Sequence, residues 1–493
     1  MASTLQKAPS HTLWTSSEAV KATGGKTAGE WFATGVSIDT RSLEAGDLFI
    51  ALQGDNSDGH LHVKSAIDKG AAAAIVSGPV DGVDESKLLI VEDTFKALQN
   101  LGIAARNRSA ACIIGITGSV GKTGTKEMLG RSFAQFGETS WSVKSFNNHW
   151  GVPLSLARMH AGSDFGIFEM GMNNPGEITP LTKMARPHIA IITTVAPVHV
   201  GNFAEGITGI AKAKAEIFSG IEKGGIAILN RDNDQFGMLK SEAKKHDIKI
   251  MTFGESDQSD AQILDCLVAS NGVRIKAKIL GDEITYILKD AGHHIAMNSL
   301  AVLLAVKLSG QDITKAVKAL EQIEPPAGRG KREMLDIGDA SNPVTLIDES
   351  YNASPVAMQA AFKVLALIDP GRGGRRIAIL GDMLELGDEG PKSHADLALP
   401  LKAANIDLVY TCGKLMKNLH DALPNDNRKF HAENSMELGQ IVPDVLVPGD
   451  VVMVKGSLGS KMNVVVEALR ALPAKKKVAN SAAKGSEGKN SAL

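Results

Sequence analysis

Residues 112–128 read CIIGITGSVGKTGTKEM, and this stretch decides the class of fold. The apolar run CIIGIT has the length of a strand, and the glycine-rich segment behind it leads into a predicted helix. In that arrangement the backbone N–H groups of residues 118–123 would cradle a phosphate at the helix N-terminus. The general P-loop pattern has its first glycine where this chain has Ile116, whereas Gly115 and Gly118 flank that position. Because strand, loop and helix still follow the P-loop order, the segment predicts a nucleoside triphosphate site.

The residue types of this loop suit a triphosphate and its metal ion. Lys122 would neutralise charge on the β- and γ-phosphates, and the hydroxyl of Thr123 would ligate Mg²⁺. The other residues expected around the phosphates are Thr117, Gly118, Ser119, Val120 and Gly121. A glycine-rich turn that binds nothing is the alternative, and a P-loop alone leaves kinase, ATPase and ligase activities open.

Strand-length apolar runs alternate with predicted helices along most of the chain. They are DLFIAL and AAAIVS, with the helix HLHVKSAIDKGA between them; then CIIGIT, FGIFEM, HIAIITTV and GIAILN; and finally VTLIDES, RIAILGD, DLVYTCG and VVMVKGS. Runs that are apolar throughout are typical of parallel strands covered on both faces. We therefore predict an α/β fold of three domains: a small α/β N-terminal domain, a central P-loop-type, mostly parallel doubly wound sheet, and a C-terminal Rossmann-like α/β domain.

The length of the chain and its composition suggest where these domains end. At 493 residues the chain is too long for one hydrophobic core. We place the domains at residues 1–107, 108–332 and 333–473. Residues 474–493 are rich in Lys, Ala, Ser and Gly, and we expect them to form a disordered tail.

The bulk composition argues against several classes of function. A net charge of -2 provides no field that would gather nucleic acid or an anionic membrane. The three cysteines are far apart and odd in number, which argues against a disulfide framework or a zinc site and favours a reducing compartment. The first residues contain no apolar run long enough for a signal peptide or a membrane span. We expect a cytoplasmic protein with no nucleic-acid partner and no membrane insertion.

Two polar residues follow consecutive predicted strands of the middle domain. Glu169 lies at the end of the run FGIFEM, and His199 lies just past HIAIITTV. Because the carboxyl ends of parallel strands form the ligand crevice of a doubly wound sheet, both residues should lie on the P-loop edge. A carboxylate and an imidazole there predict ligands for a second divalent cation. For each residue alone, a structural carboxylate or an ordinary loop histidine is the alternative.

A series of motifs, in order along the chain, resembles the Mur ligase family. They are TGSVGKT, SFNNHWGVP, EMGMNNPGEI, the His199 loop, AKAKAEIF, GHHIAMNSLAV, GRG at 328–330, DESYNASP, GDMLELG and VKGS. Together they cover residues from about 37 to 470, and they look most like the branch of the family that adds D-alanyl-D-alanine. Folylpolyglutamate synthases share the style of P-loop but are not expected to share the segment DTRSLEAGDLFIAL.

The resemblance implies a metal centre that includes a modified lysine. Mur ligases carry a carbamoylated lysine that bridges Mg²⁺ ions, and Lys214 matches it, with Lys212 as the alternative. A carbamate is an oxygen ligand suited to Mg²⁺, and its formation needs a lysine whose pKa is lowered. The implied metal ligands are Thr123, Glu169, His199 and Lys214, and the implied catalytic residues are Lys122, His199, Lys214 and Arg329.

Other positions match family residues that contact the substrates. Asn298 matches a residue near the adenine, and Arg329 matches an arginine that reaches the ATP phosphates from the domain linker. Many relatives have two acidic residues where this chain has Asp348 and Glu349, and we assign the ATP contact to Asp348. The remaining substrate-binding residues are Ser37, Asp39, Thr40 and Arg41 for the uridine diphosphate, Asn147 and Asn148 for the muramoyl peptide, and Tyr351, Asn352, Lys455 and Ser457 for the incoming dipeptide.

The activity implied by the resemblance is ATP-dependent ligation of D-alanyl-D-alanine to a UDP-N-acetylmuramoyl tripeptide through an acyl phosphate. It implies ATP, two Mg²⁺ ions and a carbamoylated Lys214 in a monomeric enzyme whose three domains hold the UDP handle, the ATP and the dipeptide. Two alternatives stay open: another amide ligase of the same superfamily, and a P-loop ATPase that makes no bond. The sequence also leaves open whether the third residue of the tripeptide is diaminopimelate or lysine.

Overall fold

The alternating strands and helices form three main sheets in the computed structural model, which describes residues 11–54, 57–143, 145–197 and 200–472. Each sheet is packed in its own buried apolar core. Among the described helices, none combines the length and the apolar character that a membrane crossing requires. The tail predicted at 474–493 lies outside the described residues.

The N-terminal unit is a small sheet packed against helices. Its strands and helices are β1 Trp14–Thr15, β2 Lys26–Thr27, β3 Phe32–Ala33, β4 Gly35–Ser37, β5 Asp47–Ile50, β6 Gln53–Gly54, β7 Ser57–Asp58, β8 Ala73–Val76, β9 Leu88–Ile90, α1 Ser16–Thr23, α2 Val63–Asp68 and α3 Thr94–Arg108. In the described part of this unit the strands pair in the order β2-β9-β8-β5-β4, parallel except at β2. This is the small α/β domain that DLFIAL and AAAIVS predict.

The middle unit contains the largest sheet. Its elements are β10 Cys112–Thr117, β11 Thr139–Trp141, β12 Phe165–Glu169, β13 Ile189–Ile192, β14 Ile226–Asn230, β15 Lys249–Gly254, β16 Ala261–Ala269, β17 Gly272–Ile279, β18 Asp282–Leu288, α4 Lys122–Phe133, α5 Gly151–Ala157, α6 Ile178–Ala185, α7 Gly206–Ala215, α8 Phe236–Lys244, α9 His293–Leu308 and α10 Ile313–Leu320. The order is β11-β12-β10-β13-β14-β15-β16-β17-β18. Separate apolar clusters cover the two faces, with α4, α9 and α10 on one and α5 to α8 on the other, which confirms the predicted doubly wound architecture.

The C-terminal unit is a second, mostly parallel sheet with helices on both faces. Its elements are β19 Lys331–Leu335, β20 Val344–Glu349, β21 Arg376–Gly381, β22 Leu408–Cys412, β23 Arg428–Ala432, β24 Val451–Lys455, α11 Pro355–Ala366, α12 Gly390–Ala395, α13 Ala398–Ala403, α14 Met416–Ala422, α15 Ser435–Val445 and α16 Asn463–Arg470. The order is β19-β20-β24-β21-β22-β23, and β19 alone among these described strands is antiparallel to its neighbour. The predicted division at 332/333 falls inside β19.

The antiparallel strands β16 to β18 extend the middle sheet beyond the predicted alternation of strand and helix. They are covered on one face only: Val273 and Ile275 of β17 are buried, whereas Arg274 and Lys276 between them are exposed. A strand of this kind alternates apolar and polar residues instead of forming a continuous apolar run. The search for continuous runs therefore missed these strands.

Direct contacts join the three units. The indole N–H of Trp14 donates to the carbonyl of Ala157 at 2.8 Å, and Nε of Arg158 donates to the carbonyl of Val36 at 2.6 Å. Both bonds connect the N-terminal unit with the segment around α5. On the other side, the turns Val200–Asn202 and Gly387–Glu389 meet, which brings the C-terminal unit against the carboxyl edge of the middle sheet.

Candidate active site

The glycine-rich loop between β10 and α4 has a backbone that requires glycine at two positions. Gly118 has a φ of 153° and Gly121 a φ of 88°, both in the region that other residues rarely adopt. A side chain at Gly118 would also collide with Thr193, and one at Gly121 would collide with the amide of Asn298. The loop thus has the strand–loop–helix context that the sequence predicts, and Asn298 lies directly beside it.

Hydrogen bonds to the segment after β13 hold this loop in place. The backbone N–H of Ser119 donates to the carbonyl of Thr194 at 2.8 Å, and the Ser119 hydroxyl donates to the carbonyl of Ala196 at 2.9 Å. The hydroxyl of Thr193 donates to the carbonyl of Val120 at 2.7 Å. Because these bonds lie within the protein, the N–H groups at the start of α4 are oriented before any anion binds.

Lys122 is the point where several charges of the site meet. Its Nζ donates to the carbonyl of Gly118 at 2.7 Å, so the side chain folds back over the loop. Burial lowers the pKa of Lys122, the negative charge of Glu169 raises it, and the positive charge of Arg329 lowers it. A half-buried cation over the loop suits the phosphate role that the sequence predicts.

Thr123 and Glu169 form the polar contact between α4 and the end of β12. The Thr123 hydroxyl donates to Oε1 of Glu169 at 3.2 Å, and the side-chain amide of Asn147 donates to the same oxygen at 2.7 Å. Ser145 adds a second hydroxyl 3.2 Å from that of Thr123. Glu169 is 1% exposed, and its Oε2 has no hydrogen-bond partner among the described residues. A buried carboxylate oxygen left open beside a hydroxyl fits a cation ligand.

The two candidate lysines of α7 lie in different environments. Lys214 is 3% exposed, and burial, followed by the positive charge of Lys122, lowers its pKa well below the ordinary value. The side chain of Lys212 is 51% exposed, and its Nζ pairs with Oε2 of Glu205 at 2.6 Å. A carbamate forms from a neutral amine, so these surroundings favour Lys214. The carbamate itself stays a prediction.

Two of the four predicted metal ligands are not ordinary metal-binding side chains: Thr123 would bind through a hydroxyl, and Lys214 through a carbamate. Across the parts of the chain that the structure describes, no group of three or more His, Cys, Asp or Glu side chains is placed to hold a metal ion. Of the predicted ligands, Thr123 and Glu169 are in contact. Lys214 lies near the P-loop lysine, since the positive charge of Lys122 contributes to lowering the pKa of Lys214. His199 lies outside the described residues, so its role stays a prediction.

Arg329 is fixed between two backbone hydrogen bonds at the start of the C-terminal unit. The N–H of Gly330 donates to the carbonyl of Asp348 at 2.8 Å, and the N–H of Tyr351 donates to the carbonyl of Gly328 at 3.1 Å. The guanidinium carbon of Arg329 lies 4.3 Å from the centroid of the Tyr351 ring. Two residues that the sequence assigns to the nucleotide and the dipeptide are therefore in contact.

The acidic pair at the end of β20 divides between two environments. Oε2 of Glu349 accepts a hydrogen bond from Nζ of Lys455 at 2.8 Å, and the same Nζ donates to the carbonyl of Asn352 at 3.1 Å. Glu349 also faces Asp290 of the middle unit. The pKa of Asp290 is raised to about 7, mainly by burial and further by the negative charge of Glu349. The carboxylate of Asp348 accepts hydrogen bonds from Ser350 and Arg470 within the C-terminal unit, and its assignment to ATP stays a prediction.

Ser457, the last residue of the predicted dipeptide set, lies two residues past the end of β24, the strand next to β20. Its hydroxyl accepts the backbone N–H of Leu384 at 2.9 Å, and its own N–H donates to the carbonyl of Asp382 at 3.0 Å. These bonds connect the VKGS motif with the GDMLELG motif. The two motifs therefore form one surface at the carboxyl edge of the C-terminal sheet.

The four residues predicted to bind uridine diphosphate form a separate group in the N-terminal unit. Ser37 is buried, and its hydroxyl donates to the carbonyl of Asp39 at 3.1 Å. The guanidinium of Arg41 is 88% exposed and pairs with the Asp39 carboxylate at 2.7 Å, while Lys69 donates to the carbonyl of Thr40 at 2.8 Å. An exposed guanidinium on an ordered turn remains available to phosphate oxygens.

Asn148 has a structural contact in addition to the substrate role that the sequence predicts for it. Its Oδ1 accepts the backbone N–H of Gly151 at 2.9 Å at the start of α5. The sequence reasoning missed Ser145 and Thr193, and it named Glu349 only as the neighbour of Asp348. Neighbouring residues of a strand point to opposite faces, so only one of the two consecutive acids at the end of β20 can face the site.

Known proteins resemble the chain across all three units. The family models described as "Mur ligase family, catalytic domain", "Mur ligase middle domain" and "Mur ligase, glutamate ligase domain" match residues 33–112, 116–306 and 335–458. A P-loop sheet between two further α/β units, matched by these models, is the architecture of the ATP-dependent amide ligases of this family. The chain belongs to the Mur ligase family.

Individual relatives agree with this assignment over most of their length. The chain is 35% identical over 437 residues to the UDP-N-acetylmuramoyl-tripeptide–D-alanyl-D-alanine ligase of Rickettsia prowazekii (strain Madrid E), covering 88% of this chain and 94% of that relative. It is 34% identical to the ligase of the same name from Escherichia coli (strain K12), covering 88% and 93%. A crystal structure of MurF from Acinetobacter baumannii superposes with a TM-score of 0.79 at 29% identity, covering 92% of this chain and 98% of the other.

Proposed function

We propose that the chain joins D-alanyl-D-alanine to a UDP-N-acetylmuramoyl tripeptide, with ATP converted to ADP and phosphate, in peptidoglycan synthesis. The names of the full-length relatives support this pair of substrates. The observation that carries the proposal is the contact between Thr123 and Glu169, which joins a P-loop to an open, buried carboxylate oxygen. A site of this kind suits a nucleotide bound together with a divalent cation.

In this proposal the backbone of residues 117–123 binds the triphosphate of ATP, and Lys122 and Arg329 offset its charge. The adenine lies near Asn298, which is buried beside Gly121. Two Mg²⁺ ions would be held by Thr123, Glu169, His199 and Lys214, and when bound they supply positive charge against the phosphate oxygens. Asp348 is kept as a predicted ATP-binding residue, although its carboxylate is bonded elsewhere.

Charge explains why the reaction needs so many cations. The carboxylate of the tripeptide is a poor electrophile, and it must approach a triphosphate that carries charge of the same sign. Transfer of the γ-phosphoryl group to this carboxylate gives an acyl phosphate and ADP. The amine of D-alanyl-D-alanine then attacks the acyl carbon, and the tetrahedral intermediate expels phosphate. Lys122 and Arg329 stabilise the negative charge that spreads over the transferring group.

The three units would each hold one part of the assembly. The proposed bounds are 1–107 for the UDP handle, 108–332 for ATP and 333–473 for the dipeptide. Ser37, Asp39, Thr40 and Arg41 bind the diphosphate, Asn147 and Asn148 face the peptide, and Tyr351, Asn352, Lys455 and Ser457 receive the dipeptide. Orienting the reactants in this way can lower the barrier by roughly 7–11 kcal/mol in favourable cases.

We propose a monomeric enzyme that works in the cytoplasm. All three cysteines are free thiols, which is compatible with a reducing compartment. The described contacts between the units lie within one chain, which favours a monomer.

A product assay tests the choice of substrate. The chain is incubated with ATP, Mg²⁺ and UDP-N-acetylmuramoyl tripeptide, with D-alanyl-D-alanine, single amino acids or glutamate as the acceptor amine. We expect D-alanyl-D-alanine to be the one acceptor that is ligated. The tripeptide that is accepted ends in diaminopimelate or in lysine, or the chain accepts both. Efficient ligation of a single amino acid or of glutamate, without the dipeptide product, would assign the chain to another branch of the family.

A further inference from the structure

Arg470 of the last helix lies at the centre of an ion-pair network at the domain linker. Its Nε and a terminal nitrogen donate to the two carboxylate oxygens of Glu333 at 3.0 and 2.6 Å, in a two-pronged pair. The same terminal nitrogen donates to Oδ2 of Asp348 at 3.1 Å. Arg470 thus bridges β19 and β20 from α16. Two-pronged guanidinium–carboxylate pairs fix direction as well as distance.

The carboxylate of Asp348 is held from both sides. Oδ1 accepts the backbone N–H and the hydroxyl of Ser350 at 3.2 and 2.6 Å, and Oδ2 accepts Arg470. Asp348 is 2% exposed, so its carboxylate is buried, whereas the side chain of Arg470 is 25% exposed. Removing one partner from a buried charge pair leaves an uncompensated charge and is costly. Direct contact of this carboxylate with a nucleotide would require one of these bonds to break.

The backbone of the same residue carries the linker. The carbonyl of Asp348 accepts the N–H of Gly330, and the N–H of Tyr351 donates to the carbonyl of Gly328. Arg329 lies between these two anchors, with its guanidinium over the Tyr351 ring. Arg470 therefore fixes the side chain of Asp348, and the main chain of Asp348 fixes the residue next to Arg329.

We infer that Arg470 is a positioning residue: through Asp348 it sets where the guanidinium of Arg329 stands relative to the P-loop. The inference rests on the proposed role of Arg329 at the ATP phosphates. The positive charge of Arg329 already reaches Lys122, since it lowers the pKa of that lysine. A small shift of the linker would move this charge away from the transferring phosphoryl group, where geometry decides the rate.

A double-mutant cycle separates positioning from mere domain stability. The variants are Arg470→Met, Arg329→Ala and the combination, with Arg470→Lys as the conservative variant and Glu467→Gln as the control. Glu467 pairs with Arg470 at 2.5 Å on the exposed side of α16, away from Asp348. Steady-state ligation is measured with all three substrates, and rates are normalised to the folded fraction obtained from circular dichroism and gel filtration.

We expect Arg470→Met to lower kcat about ten- to a hundredfold with the KM for D-alanyl-D-alanine changed less than about twofold. Arg470→Lys should recover part of this loss, and Glu467→Gln should behave as wild type. In the Arg329→Ala background the Arg470 substitution should add less than about twofold, because residues that act as one unit are not additive. Where Arg470→Met fails to fold, Glu333→Gln replaces it in the same cycle.

Two results would overturn the inference. One is a normal kcat in folded Arg470→Met, and the other is a full multiplicative loss on top of Arg329→Ala. Either result leaves the proposed function standing, provided that the wild-type chain ligates the dipeptide and Arg329→Ala impairs it. Failure of the wild-type chain to ligate the dipeptide would instead remove the proposed function.

Discussion

The hydroxyl of Thr123 lies 3.2 Å from Oε1 of Glu169, so the first turn after the P-loop and the end of the neighbouring strand share one polar site. The pairing of β10 with β12 produces this contact, since Ile116 is in register with Glu169 and both strands end at the same edge. Glu169 keeps its second oxygen open in a buried position. The relationship joins a phosphate loop to a carboxylate, and most of the chemistry that we propose depends on it.

Glu169→Gln is expected to lower kcat/KM by about a hundredfold or more, because an amide oxygen is a much weaker ligand for Mg²⁺ than a carboxylate. The concentration of Mg²⁺ needed for half-maximal ligation should rise at the same time. Glu138→Gln, an exposed acid of the same unit, is the matched control. An unchanged Mg²⁺ dependence in a folded Glu169→Gln protein would remove Glu169 from the proposed metal ligands.

Lys214→Ala is expected to abolish most ligation, with partial recovery when formate or acetate is added, because a short carboxylate can replace the lost carbamate oxygens. Burial, and then the positive charge of Lys122, lower the pKa of Lys214, which favours the neutral amine that reacts with CO₂. Lys212→Ala, at the exposed lysine, should keep most of the activity. If Lys212→Ala lost activity and regained it with formate or acetate, while Lys214→Ala kept its activity, the carbamate would be assigned to Lys212.

Asp290 is expected to make stability depend on pH. Burial and the charge of Glu349 raise its pKa to about 7, against the opposing effect of Arg332. Between about pH 4 and about pH 7 the folded protein keeps the Asp290 proton, whereas the unfolded chain has released it. The free energy of unfolding therefore falls as the pH rises through this range. Asp290→Asn is uncharged at every pH, and it should raise the melting temperature by about 2–4 °C at about pH 8 and by clearly less at about pH 5. Equal melting shifts at both pH values would argue against a raised pKa.

The C-terminal unit is expected to close on the middle unit when the substrates bind, with residues 328–331 as the hinge. Gly328 and Gly330 have φ values of 75° and 99°, a conformation that suits a bending point with few side-chain constraints. Small-angle scattering should give a smaller radius of gyration with a non-hydrolysable ATP analogue and both other substrates than with no ligand. No compaction under these conditions would count against closure.

Most of the fold follows from local pattern in the sequence. The continuous apolar runs marked the parallel strands around the P-loop and in the C-terminal sheet, because strands covered on both faces must be apolar throughout. The alternating strands β16 to β18 escaped that criterion, although Asn271 and Gly272 are a common hairpin-turn pair. Short edge strands such as β11, with three residues, carry too little pattern to be recognised.

The candidate site was harder to predict where it depends on contacts between distant parts of the chain. The sequence could place the P-loop and Glu169 at one edge of the sheet, because the carboxyl ends of parallel strands converge there. The different surroundings of Asp348 and Glu349 could not be read from the sequence, since they depend on the distant partners Arg470 and Lys455. Arg470 lies 122 residues from Asp348 in sequence, and no local pattern connects them.

The most direct test measures release of inorganic phosphate with each of ATP, UDP-N-acetylmuramoyl tripeptide, D-alanyl-D-alanine and Mg²⁺ omitted in turn. We predict steady release only in the complete mixture, in step with the amount of ligated product. Continued turnover of ATP when the UDP-linked tripeptide is absent would contradict the ligase account and leave a simple ATPase.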